Sequence, residues 1–277
     1  MSGMTRRHWD RLARRFEDEV CDILEADRTG VLRRLVGRAW IPEQGAVLVD
    51  LGCGIGTFVR TYGPAFERVI AVDWSAAMVR RARVRCAELG GVRWMVGDLA
   101  GAAKRIGPVG DVVTCLNVIT APDATVRERL WAALAAATRP GGSVLVVVPS
   151  FESARSVQQV KAELRARRAA RRAASGAVRH AHGADGRDGV ATSVRRSAVR
   201  LPADGVLDNG GDPQKYFRRA ELIAALRMHG FADPVIRRVP YAWSDEGVRV
   251  PASEGRRPWD WACLARRVRE RGGVAGR

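Results

Sequence analysis

Lysine is almost missing from this chain: only Lys104, Lys161 and Lys215 stand among 47 basic residues, and the others are arginine. The formal charge is nonetheless +17, and such a charge attracts polyanions and would ordinarily open a nucleic-acid reading. The arginine skew comes with many alanines and 29 glycines, a composition that a GC-rich coding bias produces by itself, so it weighs little for RNA. No stretch approaches the ~18 uncharged apolar residues of a membrane helix, so no span is expected. The opening MSGMTRRHWDR has no apolar segment of signal-peptide length, so secretion is not expected. The five cysteines (Cys21, Cys53, Cys86, Cys115, Cys263) form no C-x-x-C pair. Their scatter argues against a disulfide framework or a zinc site and suits a reducing cytoplasm. No internal repeat is present.

What remains is a chain of 277 residues with 47% hydrophobic content, enough for one large core carrying an insertion. Between 5 and 37, Trp9, Leu12, Phe16, Val20, Ile23 and Leu24 recur at spacings of three and four, the stripe of a helical segment. From residue 46 the pattern changes to short apolar runs. Strands are predicted at 46–51, 68–73, 92–97, 109–115 and 143–148, with helices at 57–65, 75–89 and 123–138. Nearly all-apolar strands alternating with helices predict a parallel sheet covered on both faces. Residues 151–200 differ: VQQVKAELRARRAARRAA predicts a polar helix, and HAHGADGRDG a turn or loop. Eleven basic residues stand against three acidic ones between 161 and 200, which reads as an inserted lid. The stretch TSVRRSAVRLPADGVLDNGGDPQKYF is a site for short extra strands. RRAELIAALRMHGF predicts an amphipathic helix ended by Gly230, and two last strands are expected at 233–239 and 260–267. The resulting organisation is a helical cap (1–40), a core (41–150), a basic insertion (151–217), the closing helix and strands (218–270) and a frayed tail (271–277).

The chemistry concentrates in VLVDLGCGIGTF at 47–58. Its glycines, Gly52, Gly54 and Gly56, give G-x-G-x-G rather than the G-x-G-x-x-G of a dinucleotide site, and Asp50 stands just ahead of them. An acid there is unwelcome to a phosphate. A second acid, Asp73, ends the next predicted strand, where it can accept from ribose hydroxyls, and a third, Asp98, ends the strand after that. Three carboxylates at the carboxyl ends of parallel strands call for a ligand with a ribose, little phosphate and positive charge. S-adenosylmethionine, with its sulfonium, ammonium and adenosine, meets that description. Bare backbone at Gly52 and Gly54 lets its amino-acid portion approach closely.

Over residues 40–150 the chain resembles the class I S-adenosylmethionine-dependent methyltransferases, through VLVDLGCGIGTF, AVDWSAAM, MVGDL, DVVTCLNVIT and RPGGSVLVVVP in order. The closing QKYFRRAELIAALRMHGF and VIRRVPYAW look like those of members that methylate small molecules. The resemblance implies an α/β, Rossmann-like, seven-stranded sheet whose last two strands form an antiparallel hairpin, with 233–239 at the edge. It implies that Asp50, Gly52, Cys53, Gly54, Gly56 and Thr57 line the methionine portion of the cofactor. Asp73 would hold the ribose, with Trp74 and Met78 near the adenine, and Gly97, Asp98 and Leu99 at its amino end. Leu116, Asn117 and Val118 would face the sulfonium and the acceptor. Phe16 falls where many members place a tyrosine over the cofactor.

The implied reaction is in-line methyl transfer to an oxygen, nitrogen or carbon of a small molecule, releasing S-adenosylhomocysteine. Aromatic residues outside the sheet, Trp9, Phe16, Tyr216, Phe217, Tyr241 and Trp243, are candidates for a flat apolar substrate. His8, His229, Tyr241, Tyr216 and Asp245 are candidates for a base, should a poor nucleophile need one. His180 and His182 read as solvated loop residues, since no third metal ligand is evident. Two other readings stay open at this point: an RNA methyltransferase using the arginine-rich insertion, and a cofactor-binding regulator. Against the first, CLNVIT lacks the Asn-Pro-Pro-aromatic signature used on base amines. The oligomeric state, monomer or homodimer, is open.

Overall fold

The computed structural model describes residues 5–39, 45–180, 200–209, 211–247, 250 and 257–269. Four short helices open the chain: α1 (Arg6–Leu12), α2 (Phe16–Glu19), α3 (Ile23–Ala26) and α4 (Val31–Val36). The apolar stripe expected over 5–37 is therefore real but broken into turns. Extended backbone at Val20 and Asp22 interrupts it, and Asp22 caps α3 by accepting from the Leu24 amide.

Strands and helices then alternate: β1 (Val47–Leu51), α5 (Thr57–Tyr62), β2 (Arg68–Asp73), α6 (Ala76–Arg85), β3 (Val92–Val96), α7 (Leu99–Ile106), β4 (Gly110–Leu116), α8 (Ala124–Ala137) and β5 (Thr138–Pro149). β5 starts earlier than its predicted residue 143, because Thr138 pairs with Gly110 ahead of a bulge. Side-chain caps begin the helices where the sequence offers an oxygen: Ser75 accepts from Met78 N, and Asp123 from Thr125 N at 2.7 Å.

The insertion starts with α9 (Phe151–His180), followed by a hairpin of β6 (Val206–Asn209) and β7 (Asp212–Lys215). Then come α10 (Arg219–Met228), β8 (Phe231–Pro240), a single 3-10 turn (Trp243–Glu246) and β9 (Trp259–Arg267). The predicted loop from 181 onward, His182 included, and the tail ERGGVAGR lie outside the described residues, as does the side chain of His180.

The sheet order is β3-β2-β1-β4-β5-β9-β8, with β9 antiparallel to both of its neighbours. The α/β fold with a seven-stranded, mostly parallel sheet and an antiparallel closing pair is thus as expected, β8 taking the edge. Every residue of β1 is buried, as a central parallel strand requires. One face packs Leu134 and Trp131 of α8 and Leu222 and Leu226 of α10; the other packs Leu32, Leu35, Phe58 and Val59. At the amino ends, Asp111 pins three strands together. One oxygen accepts from Val47 N at 2.8 Å, and the other meets the Arg139 guanidinium.

No described helix is long and apolar enough to cross a membrane. Leu134 is fully buried between α8 and the sheet. Leu134→Ala is expected to cost about 2–5 kcal/mol in urea unfolding; a loss under about 0.5 kcal/mol would mean that α8 does not close this face.

Candidate functional site

The order β2-β1-β4 places a topological switch beside β1, and open sheets bind ligands at the carboxyl ends of strands at such a point. A cavity of about 260 Å³ opens there. Asp50, Gly52, Cys53, Gly54 and Thr57 form one wall, and Asp73, Trp74 and Met78 another. Asp98 and Leu99 stand at one end, and Leu116, Asn117 and Val118 at the exit of β4. Trp9 and Phe16 close the cavity from the N-terminal segment. Two expected residues stand just behind the lining: Gly97, whose amide donates to the Asp73 carbonyl, and Gly56.

Two glycines carry specific constraints. Gly52 has φ +86°, and a Cβ there would overlap the Val118 side chain, so the residue serves both the turn and the close approach of the β4 exit. A Cβ at Gly56 would stand 3.0 Å from Ala82 and 3.1 Å from the Cys86 sulfur, so this glycine lets α6 close against the turn.

The acids differ in their settings. Asp50 is 2% exposed; its Oδ1 accepts from Thr114 Oγ1 at 2.7 Å, and its buried Oδ2 has no partner. Desolvation raises its pKa to about 7, against the Thr114 hydrogen bond and with help from the negative charges of Asp73 and Asp22. Asp73 accepts from Gly54 N and Ser75 N, both at 2.9 Å, one on each oxygen. A carboxylate has two lone-pair directions per oxygen, so Asp73 keeps acceptor capacity for a ligand beyond these amides. Burial raises the Asp73 pKa, opposed by those amides. Asp98 caps α7 through Gly101 N and is largely exposed, 3.6 Å from Arg129.

The N-terminal segment is seated by Trp9, Leu12, Ala13 and Phe16 against Ile55 and Met78. Asp10 accepts from Ser75 Oγ at 2.6 Å, and Glu17 pairs with Arg81 and Arg85 of α6. Exposed ion pairs contribute little each, so apolar burial does most of the docking. Val20, Cys21 and Asp22 add further lining from this segment.

Behind Asn117 lies a polar group that the sequence reading did not assemble. Asn117 Nδ2 donates to Asp260 Oδ2 at 2.9 Å. Tyr241 donates to Glu246 at 2.9 Å, and Lys161 of α9 pairs with the same carboxylate at 3.2 Å. Burial brings Asp260 to about 7, and it also raises Tyr216 and Tyr241, with the charges of Asp260 and Glu246 adding to both. Asp260 had a visible signal: an acid inside the otherwise apolar strand WDWACL. Glu246 and Lys161 had none, since only the tertiary fold joins them.

The remaining candidates sit elsewhere. Trp243 begins the 3-10 turn, and Asp245 caps it by accepting from Ala242 N. Phe217 is core, edge-on to Trp131 at 6.2 Å. His229 ends α10, bound to the Ala225 carbonyl and Glu128, outside the cavity. His8 lies on α1 against Trp9 and does not line the cavity. Among the described residues no group of three or more His, Cys, Asp or Glu could hold a metal ion.

Residues 48–142 match a family model described as a methyltransferase domain. Among solved structures, an S-adenosylmethionine-dependent methyltransferase from Mesorhizobium loti is 21% identical with a TM-score of 0.57, over 87% of this chain and 100% of that one. The N-methyltransferase NodS from Bradyrhizobium japonicum, solved with S-adenosylhomocysteine, is 12% identical with a TM-score of 0.57, over 94% and 97%. A Haloferax volcanii methyltransferase solved with the activator Trm112 is 17% identical with a TM-score of 0.56, over 94% and 97%. At these identities the likeness is one of fold. No curated protein sequence matches the chain. The match over 48–142 and the sheet order bear out the resemblance to class I S-adenosylmethionine-dependent methyltransferases.

S-adenosylmethionine is the cofactor that these residues fit. The unpartnered Asp50 oxygen, buried beside a turn free of Cβ atoms, lacks the donor that an ammonium supplies.

A buried acid whose folded pKa stands above its unfolded value near 4 stabilises the fold below that value. The contribution is lost as pH rises to about 7. Asp50→Asn, which keeps an acceptor for Thr114, is therefore expected to raise the melting temperature of the ligand-free protein at pH 8. A lower melting temperature at that pH would contradict the assigned strain.

Proposed function

We propose that this methyltransferase-domain chain transfers a methyl group from S-adenosylmethionine to a small molecule. The observation that carries the reading is the buried, half-partnered Asp50 on the same cavity as Asp73. Together they ask for a cationic amino acid joined to a ribose. Asp50 would favour the ammonium, Asp73 would accept from both ribose hydroxyls, and Trp74, Met78, Asp98 and Leu99 would enclose the adenine. Bound in this way, the cofactor supplies a sulfonium-activated methyl group and leaves as S-adenosylhomocysteine.

The chain's own tasks are alignment and exclusion of water. Leu116, Asn117 and Val118 present the β4 exit to the reacting atoms. Trp9 and Phe16 cover the cavity, Phe16 supplying apolar surface where many relatives offer a hydroxyl. The apolar residues that the N-terminal segment sets over the cavity, Trp9, Phe16 and Val20, support a small acceptor over a folded polymer. The second reading, RNA, rests on the exposed arginines of α9, among them Arg165, Arg168 and Arg172. The site residues, the lid role of the insertion and a cytoplasmic location belong to this proposal.

Asp73→Ala is expected to weaken S-adenosylhomocysteine binding by about 1–3 kcal/mol in calorimetry, through lost ribose hydrogen bonds; an unchanged Kd would remove Asp73 from the ribose. With methyl-labelled S-adenosylmethionine and an extract of the source cells, label should enter the organic-soluble small-molecule fraction. It should fall with the Asp73→Ala variant, whereas label in RNA would replace this reading with the second one.

A further inference from the structure

Asn117 ends β4 in the left-handed region, with φ +55°, a conformation that asparagine tolerates better than most residues. Its amide donates to the Val147 carbonyl, which fixes the backbone. The residue lines the cofactor cavity, its Nδ2 is committed to Asp260, and its buried Oδ1 has no partner. The orientation follows from chemistry: an ionised carboxylate only accepts, so the nitrogen must face Asp260 and the oxygen must face away from it. Asp260 is 6% exposed and lies outside the cavity lining, with Asn117 between them.

We propose that Asn117 and Asp260 form a positioning pair for the methyl acceptor: Asp260 holds the Asn117 amide so that Oδ1 accepts a hydrogen bond from an amine that carries at least one hydrogen. This rests on the methyltransferase reading and narrows its substrate class. An amide oxygen cannot take a proton at ordinary pH, so it cannot activate an alcohol or phenol. A neutral amine needs no activation. Its N–H is held by Oδ1 while its lone pair forms the new N–C bond, as the methyl–sulfur bond breaks and leaves its electrons on sulfur. The product is an N-methylated ammonium, which then gives its proton to water.

Asp260 also makes the arrangement sensitive to pH. The groups facing it are Asn117 at the β4 end, the Ser150 amide at the β5 end and Glu246 on the 3-10 turn, with Tyr241, Tyr216 and Cys21 close enough to feel its charge. A proton on Asp260 Oδ2, the oxygen that faces Asn117, makes it a donor there. The Asn117 amide then turns its oxygen to Asp260 and its N–H groups toward the cavity, where they oppose the amine's own N–H.

The test uses the small-molecule fraction that the wild-type protein labels, saturating S-adenosylmethionine, and the Asp260→Asn and Asn117→Ala variants. Wild-type kcat should fall about tenfold between pH 8 and pH 6, as expected for a group titrating near 7. Asp260→Asn should lose that acid limb, and both variants should run about 10–100-fold slower at pH 8. The Asp260→Asn Kd for S-adenosylhomocysteine, read by calorimetry, should stay within about threefold of wild type, since Asp260 lies outside the cavity lining. Acetylating the amines of the fraction beforehand should abolish labelling. An Asp260→Asn protein with wild-type kcat or an intact acid limb, or label surviving acetylation, would overturn the pair while leaving the methyltransferase reading in place. A wild-type protein that binds S-adenosylhomocysteine but labels nothing would overturn both.

Discussion

The hydrogen bond from Thr114 to Asp50 joins β4 to β1 beside the point where strand order reverses, and the site is arranged around it. It fixes one carboxylate oxygen and leaves the other buried and bare. A bare buried oxygen is costly unless a donor arrives. The Gly52–Gly56 turn keeps side chains out of that space, and Val118 closes against Gly52 so tightly that no larger residue fits. The cavity is in this sense an unfilled hydrogen bond with walls. The same tension recurs at Asn117, where a committed nitrogen leaves an unpartnered oxygen.

Charge is distributed in opposition. A protein of net charge +17 places Asp22, Asp50, Asp73 and Asp98 around one cavity, with Asp260 and Glu246 behind it. Burial raises Asp50, Asp73 and Asp260 together, which is the electrostatic state of a site waiting for a cation. Exposed arginines stand instead along α9, and Arg81 and Arg85 clasp the N-terminal segment. The surface charge therefore says little about the chemistry inside.

Period and spacing made the core legible. Nearly all-apolar runs with Asp50, Asp73 and Asp98 at their carboxyl ends announce parallel strands with acids at their ligand-binding ends, and the structure gathers these residues at one cavity. Less legible were features with no local signal. The N-terminal helices follow a single apolar stripe in sequence, yet Val20 and Asp22 adopt extended backbone that breaks it. By sequence Phe217 suits a substrate contact and the core equally, and the fold packs it in the core against Trp131. His229 was a candidate base by type, and its ring is taken up by Glu128 and the Ala225 carbonyl. The Asn117–Asp260 contact spans 143 positions, so no motif window could contain both.

The central claim is that Asp50 stands protonated or strained until a cation reaches it. Titrating S-adenosylmethionine at pH 6.5 in buffers of different ionisation enthalpy measures the protons exchanged on binding. If the ammonium docks beside Asp50, its pKa falls on binding. A fraction of a proton should then be released, and affinity should rise between pH 6 and pH 8. Binding with no buffer dependence and no pH dependence would contradict the account, as would no binding at all.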